Sequence, residues 1–185
     1  MEALKPATYE DLLAVPDHLV AEIVYGMLYT SPRPAPRHTN ASSVLGAELN
    51  IRWQRGRGGP GGWWILFEPE LHLGENVLVP DIAGWRKTAL PALPTDIAYF
   101  ETAPEWICEV LSPSTARLDR GPKLEIYATA GVKWAWLVDP VLKMIEVYQL
   151  VDGRWVRHAV ATDDAEATLP PFEAVPLDIS ELWLP

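Results

Sequence analysis

Apolar positions alternate with polar ones or run on over short segments, and this pattern predicts more strands than helices. The apolar, β-rich runs that predict strands lie at 20–30, 63–73, 77–85, 105–112 and 132–140. Gly26 lies inside the first run, which therefore predicts a strand pair or a bent strand. The turn at 74–76 predicts that the second and third runs form a hairpin, and Asp152-Gly153 predicts another over 144–160.

Three segments predict helices. Residues 8–15 form a short helix with Thr8 as its cap, and residues 40–55 carry apolar side chains at helical spacing. Residues 122–130 are predicted to form the third helix, because Pro122 suits the first position of a helix and Gly131 suits its end. At least one helix lies between strands, so the pattern predicts a mixed sheet flanked by helices, of the α/β or α+β class, with a C-terminal β-hairpin.

The length, cysteine content and net charge of the chain limit which classes of protein it can belong to. The 185 residues predict one domain over 1–185, and neither a membrane span nor a signal peptide is recognisable. Cys108 is the single cysteine, which indicates a reducing cytoplasm. The formal net charge of −10 argues against a nonspecific nucleic-acid coat. It is compatible with a cluster of carboxylates that binds a metal ion.

Two acids stand inside apolar strands, where a lone carboxylate is costly to bury. These are Asp81 and Glu109, and Lys123 follows in the next predicted helix. Neighbouring strands would aim both carboxylates at one point, and the backbone carbonyl of Val110 could add a third oxygen. Mg²⁺ or Mn²⁺ suits such oxygen donors together with water and a substrate phosphate. Tyr127 lies four residues after Lys123 on the same helix face, where it braces the lysine or only packs.

This arrangement predicts hydrolysis of a phosphodiester bond. The metal ion would bind the scissile phosphate and activate a water, and the ammonium of Lys123 would orient that water and offset developing charge. Asp119 is expected to cap its helix or to pair with Arg120 or Lys123. Arginines near the glycine-rich loop are the best candidates for phosphate contacts, with a solvated helix end as the alternative. They are Arg33, Arg37, Arg52, Arg55 and Arg57.

A resemblance to a known family is carried by three segments: AEIVYG (21–26), VPDIAGW (79–85) and CEVLSPSTARLDRGPKLEIYATAGVKWAWLVDP (108–140). They resemble the Uma2 family of endonucleases, also known as domain of unknown function 820, from Tyr9 to Leu182. That family is placed in the PD-(D/E)XK nuclease superfamily, which implies a restriction-endonuclease-like fold.

The resemblance also implies roles for individual residues. The Pro-Asp motif matches Asp81, the E-V-L motif matches Glu109, and the early acid matches Glu22, an auxiliary acid for a second metal ion or a metal-bound water. The superfamily expects a lysine at the position of Leu111, and in this family Lys123 takes that role. His38 matches a position where the family often has histidine, which implies contact with substrate.

Two functions from different classes remain open at this stage. The first is a metal-dependent endonuclease acting on nucleic acid, with DNA favoured, and working as a homodimer because two strands call for two sites. The second is a binding or assembly module that keeps the fold without turnover. A hydrolase of small nucleotides is a weaker third hypothesis.

Overall fold

The computed structural model describes residues 5–162 and 166–184, so the ends of the predicted domain, 1–4 and 185, lie outside the described residues. The strands are β1 (Leu19–Val24), β2 (Met27–Pro32), β3 (Trp63–Phe67), β4 (Leu71–Leu73), β5 (Asn76–Leu78), β6 (Ile82–Arg86), β7 (Trp106–Val110), β8 (Trp134–Asp139), β9 (Met144–Val151), β10 (Arg154–Thr162), β11 (Glu166–Ala167) and β12 (Leu177–Asp178). Every predicted strand region is occupied by strands, and the hairpin around Asp152-Gly153 is confirmed.

The larger sheet is mixed. Its strand order is β10-β9-β8-β7-β6-β3, in which β7 and β8 run parallel and the other neighbours run antiparallel. A parallel pair needs a crossover, and the helices after β7 provide it. A four-stranded sheet has the order β2-β1-β5-β4, and β11 pairs with β12.

The predicted hairpin around 74–76 is divided between the two sheets. β4 and β5 pair in the smaller sheet, while β3 and β6 pair in the larger one, with Phe67 opposite Ile82. The chain leaves one sheet at Glu68, which has a φ of 42°, and crosses back just before Asp81. The hairpin is therefore correct, but its two long strands are broken where they pass between the sheets.

All three predicted helical regions are helical, but their boundaries differ from the prediction, and a short 3-10 helix (Ser180–Leu182) is added near the C-terminal end. Helix α1 (Tyr9–Leu13) is capped by Thr8, whose hydroxyl accepts from the Asp11 N–H, while Asp11 accepts from the Thr8 N–H. Helix α2 (Pro36–Leu49) begins four residues earlier than predicted and continues through a wide π-turn, Asn50–Gln54. The connection 86–104 contains the expected single helical turn, in which the Leu90 N–H donates to the Arg86 carbonyl at 3.0 Å, and further along Phe100 pairs with Leu71.

The predicted helix start at Pro122 is wrong. A helical run begins with α3 (Ala116–Leu118), passes through a π-turn at Asp119–Lys123 and continues as α4 (Leu124–Thr129), so Pro122 lies inside it. A proline in an ordinary helix lacks one N–H and clashes with the preceding turn. The wider π-turn accommodates the ring, and the helix continues without ending there.

Two apolar cores lie on opposite faces of the larger sheet. Alternate residues of β7 contribute to each, with Trp106, Cys108 and Val110 in one and Ile107 in the other. In the first core, the ring centroid of Phe172 lies 5.0 to 5.6 Å from those of four tryptophans: Trp53, Trp63, Trp106 and Trp136. The second core packs against helix α4 and the smaller sheet.

These features confirm the predicted fold class, a mixed α+β arrangement in which helices flank a large sheet. Over residues 5–162 and 166–184, no helix combines the length and the apolar character that crossing a membrane requires. The organisation of the whole chain as one domain stays a prediction.

Candidate active site

Glu109 is buried at the centre of the larger sheet, on the face covered by α4. It shares that face of β7 with Ile107, and its side chain is only 3% exposed. The Tyr127 hydroxyl donates to its Oε1 at 2.7 Å, and Lys123 Nζ lies 2.9 Å from the same oxygen. Burial raises the pKa of Glu109 well above its ordinary value, although Lys123 opposes the shift.

Lys123 binds carboxylates from three separate elements. Its Nζ lies 2.8 Å from Glu22 Oε1 on β1, 2.9 Å from Glu109 Oε1 on β7 and 3.4 Å from Asp119 Oδ1 one helical turn earlier. Burial disfavours the charged amine, but Glu109 and Glu22 outweigh this effect and raise the pKa of Lys123 well above its ordinary value. Lys123 is therefore a buried ammonium ion whose charge is balanced from three sides.

Asp119 completes this arrangement. Its side chain is 4% exposed, and burial raises its pKa despite the opposing effect of Lys123. Sequence reasoning allowed its pairing with Lys123 but left it outside the site. The spacing of four residues on one helix was the available signal.

Asp81 stands where β6 begins, next to Glu109 on the neighbouring strand, since Ile82 is opposite Cys108. Its Oδ2 accepts from the Val110 N–H at 2.7 Å, and its Oδ1 lies 3.1 Å from Nε2 of His38 on α2. Burial lowers the pKa of His38, but the hydrogen bond and charge of Asp81 outweigh it, so the pKa is raised. Backbone and imidazole thus hold the two oxygens of Asp81 in separate directions.

Glu22 ties the smaller sheet to this cluster. Its Oε1 accepts from the Val79 N–H at 2.8 Å and also faces Lys123. Because Val79 lies two residues before Asp81, one carboxylate oxygen joins β1, the segment leading to Asp81, and the helical run. Glu22 therefore lies in the same cluster as Asp81, Glu109 and Asp119.

The charged cluster forms the floor of an open cleft of about 290 Å³, called the acidic cleft below. Glu22, Asp81, Glu109, Asp119 and Lys123 line it. Its rim includes Arg33, His38, Glu68 and the hydroxyl residues Ser112 and Thr115, which hydrogen-bond to each other at 2.9 Å. Sequence reasoning missed these two hydroxyls, although they lie three and six positions after Glu109 in the chain.

The predicted arginine contacts lie elsewhere. Arg37, Arg52 and Arg55 do not line the acidic cleft. Arg52 binds Glu48 at 2.8 Å and donates to the Pro176 carbonyl at 2.7 Å, so its guanidinium braces α2 against the C-terminal segment. Arg55 is exposed after the π-turn, and Arg33 is the arginine at the rim, 3.8 Å from Glu68.

The acidic cleft offers some of the oxygen ligands that a hard divalent cation needs, but not a complete set. Within the described ranges, no group of three or more acidic, histidine or cysteine side chains is arranged to hold an ion by itself. Asp81 and Glu109 nevertheless offer oxygen donors at adjacent strand positions, and Val110 adds its backbone there. Mg²⁺ commonly takes one or two carboxylates and completes its shell with waters and phosphate. The chemistry of these residues therefore suits Mg²⁺ or Mn²⁺ better than a softer metal ion.

Comparison with known proteins adds three findings. A family model described as "Uma2: Putative restriction endonuclease" matches residues 6–180. A crystal structure from Anabaena variabilis ATCC 29413, described as "a putative nuclease belonging to DUF820", is similar with a TM-score of 0.74 and 24% identity over 96% of this chain and 98% of that chain. Among curated proteins, none matches. The structural likeness establishes the fold, and the family description supports a nuclease, which is a hydrolase that binds nucleic acid.

Proposed function

The chain belongs to the Uma2 family, and from this premise we propose that it is a metal-dependent endonuclease that hydrolyses phosphodiester bonds of DNA. The observation that carries the proposal is the convergence of Asp81, Glu109 and Lys123 on the floor of one open cleft. Their elements meet there, although Asp81 and Lys123 are 42 positions apart in the sequence.

Asp81, Glu109 and the Val110 carbonyl are the groups that would hold Mg²⁺ or Mn²⁺. When bound, such an ion polarises a phosphoryl oxygen and acidifies water. The remaining contribution of the chain is to keep these donors in place. Tyr127 and Lys123 both hold Glu109 Oε1, and the Val110 N–H holds Asp81 Oδ2, so neither carboxylate has to reorganise when substrate arrives.

Lys123 acts in this proposal chiefly through electrostatics. Its side chain is 3% exposed and its Nζ contacts three carboxylates, yet it lines the cleft. From that place the ammonium offsets the repulsion between a phosphate and the acidic floor. It also offsets the charge that develops on phosphorus and on the attacking water. Glu22 and Asp119 support it by fixing the amine.

His38 is the proposed contact with the substrate phosphate at the rim. Its raised pKa favours the imidazolium form, which attracts an anion, and its Nε2 faces Asp81. A long duplex would extend beyond the reacting phosphate and past the acidic cleft. We propose that Arg37, Arg52 and Arg55 contact its backbone there.

A second candidate function has its own supporting observation. Lys123 is already paired with three buried acids, which leaves it less able to serve a substrate. Leu111, at the position where the superfamily expects lysine, is 6% exposed and packed in the apolar core. These features favour a binding or assembly module that keeps the fold with little or no turnover. The two hypotheses differ in one measurable property, which is metal-dependent cleavage.

Cleavage of supercoiled plasmid in Mg²⁺ or Mn²⁺ tests the proposal. Wild type should nick the plasmid, and Asp81→Asn and Lys123→Gln should each lower the rate by about a hundredfold or more. Asp96→Asn, an exposed acid outside the cleft, is the matched control and should retain the rate. Metal-dependent nicking that survives Asp81→Asn would rule out this site, and a wild type without nicking on DNA or RNA would favour the binding module.

The proposal includes a homodimer in the cytoplasm. Cutting both strands of a duplex calls for two sites, and a two-fold symmetric pair presents two copies of the acidic cleft. The lone cysteine, Cys108, is fully buried and needs no oxidising compartment for its packing.

A further inference from the structure

The β1–β2 hairpin, Leu19–Pro32, presents no charged side chain to solvent. Glu22 is its single charged residue, and that side chain is buried against Lys123. The hairpin exposes apolar and aromatic groups instead: Tyr25 is 59% exposed, Met27 58%, Leu28 37% and Tyr29 36%. The hairpin thus exposes apolar groups without exposed charge, although the chain has 40 charged residues and a net charge of −10. Exposed apolar side chains that cluster in this way are typical of interaction sites.

The outer edge of β2 is open to a further strand. β2 ends the order of the smaller sheet, so within the described residues no strand pairs with its outer side. Tyr25 and Gly26 have φ values of 50° and 73°, as in a two-residue turn, which makes Val24 and Met27 a hydrogen-bonded pair. Because hydrogen-bonded pairs alternate along an antiparallel ladder, the N–H and C=O groups of Leu28 and Thr30 point outward.

At one edge of the larger sheet, β10 shows how an edge strand can be protected. β10 ends the larger sheet and carries the exposed cations Arg154 and Arg157. It also has a bulge between Arg157 and Ala159 that interrupts its ladder with β9. Charges and bulges prevent edge-to-edge pairing. β2 has neither, since its six residues are uncharged and its register with β1 is continuous.

We propose that β2 pairs antiparallel with β2 of a second copy of this chain, which joins the smaller sheets of two protomers into one continuous sheet. Antiparallel pairing about a two-fold axis places the residues of β2 opposite residues of the same strand from the second copy, and a strand without charge introduces no like-charge contact there. Two chains of charge −10 repel each other elsewhere, and the uncharged hairpin is where they can approach. A nucleic-acid backbone is excluded as the occupant because the hairpin offers no cation to phosphate.

The outer edge of β2 would be the interface of the homodimer proposed above, so this inference rests on the proposed function to that extent. Ser31 and Pro32 at the end of β2 also line the acidic cleft. Antiparallel pairing therefore places the two clefts at opposite ends of the shared strand pair. Both protomers would then present their sites near the interface instead of at remote ends of the dimer.

Sedimentation velocity of the full chain, without metal, tests this interface. Wild type should be a reversible dimer at micromolar concentration. Thr30→Lys adds a charge at an exposed central position of β2, and Thr30→Pro removes the outward N–H without removing a hydrogen bond to β1. Each variant should raise the dimer dissociation constant about tenfold or more. Val156→Lys, at a 50% exposed position of β10, is the matched control and should leave it unchanged.

The effect of salt on dimerisation is a second test of the interface. Added salt screens the repulsion between acidic protomers, so dimerisation should strengthen with salt, whereas nucleic-acid binding weakens. A monomeric wild type, or a dimer weakened by Val156→Lys and not by the Thr30 variants, would overturn the proposal. A monomer that still nicks plasmid overturns the interface alone, and a dimer without nicking overturns the nuclease alone.

Discussion

At the scale of single residues, the central feature is the balance of charge around Lys123. Glu22, Glu109 and Asp119 contact one ammonium in a region from which water is almost excluded. Removing one partner of a buried ion pair is more costly than never forming the pair, because the remaining charge has neither water nor a counter-ion. The residue proposed for catalysis is therefore also a structural residue.

We expect Lys123→Met to destabilise the protein by about 3–5 kcal/mol, because three carboxylates lose their common cation. Urea unfolding at neutral pH measures this change. Lys133→Met is the matched control, since that side chain is 66% exposed and its ion pair with Glu105 is screened. The control should change stability by less than about 0.5 kcal/mol. An equal, small effect of both substitutions would show that Lys123 does not balance the buried acids.

The expected proximity of Asp81 and Glu109 agrees with the structure, because strand patterns carry that information. Asp81 and Glu109 interrupt apolar strands, and such interruptions point to a partner. The structure brings them together with Glu22, Lys123, His38 and Tyr127, while their catalytic roles stay predictions. The arginines could not be placed the same way. Their clustering in sequence did not indicate that Arg52 binds Glu48 and a C-terminal carbonyl.

At the scale of elements, the helical run from Ala116 to Thr129 determines how the site is assembled. It covers β7 with Lys123 and Tyr127, and Arg120 from the same π-turn binds Glu146 on β9. Local sequence rules placed the helix start at Pro122, because they describe regular helices. The π-turn that includes this proline is stabilised by tertiary contacts, which are those of Lys123 with Glu22 and Glu109 and of Arg120 with Glu146, and these are not visible in local sequence.

The Arg120–Glu146 contact predicts an acid-sensitive attachment of that helix. Burial would raise the pKa of Glu146, but hydrogen bonds from Arg120, Tyr148 and Arg157 outweigh it and lower the pKa below the ordinary value of 4.5. A carboxylate with a lowered pKa stabilises the fold above its unfolded-state value, and the contribution is lost as the pH falls through the folded value. We expect Glu146→Gln to cost about 1–3 kcal/mol at pH 7.

Thermal or urea unfolding between neutral pH and pH 3 measures this contribution. Wild type should lose more stability than Glu146→Gln as the pH falls below about 4.5. Glu173→Gln, at an exposed position, should follow the wild-type curve. If Glu146→Gln and wild type lost stability in parallel, the ion pair would not hold the helix in the way proposed.

At the scale of the whole molecule, negative charge is unevenly placed. The chain carries a net charge of −10. Five carboxylates line the acidic cleft together with Lys123 and Arg33, and they belong to Glu22, Glu68, Asp81, Glu109 and Asp119. The field of such a cleft attracts cations and repels phosphate. The proposed endonuclease would therefore need a bound cation to accept its substrate, which would link metal binding to both stability and activity.

Thermal unfolding in Mn²⁺ or Ca²⁺ tests that link without any substrate. An ion that binds the folded state alone stabilises it by about 2.7 kcal/mol at a hundredfold excess over its Kd, so the Tm of wild type should rise by several degrees. Asp81→Asn should abolish the rise, and Asp96→Asn should retain it. If the ion only screened the acidic surface, the Tm of all three proteins would rise equally. NaCl at the same ionic strength would then produce the same rise. An equal rise in Asp81→Asn would thus remove Asp81 from the metal site, whereas a loss confined to that variant would assign the ion to the acidic cleft.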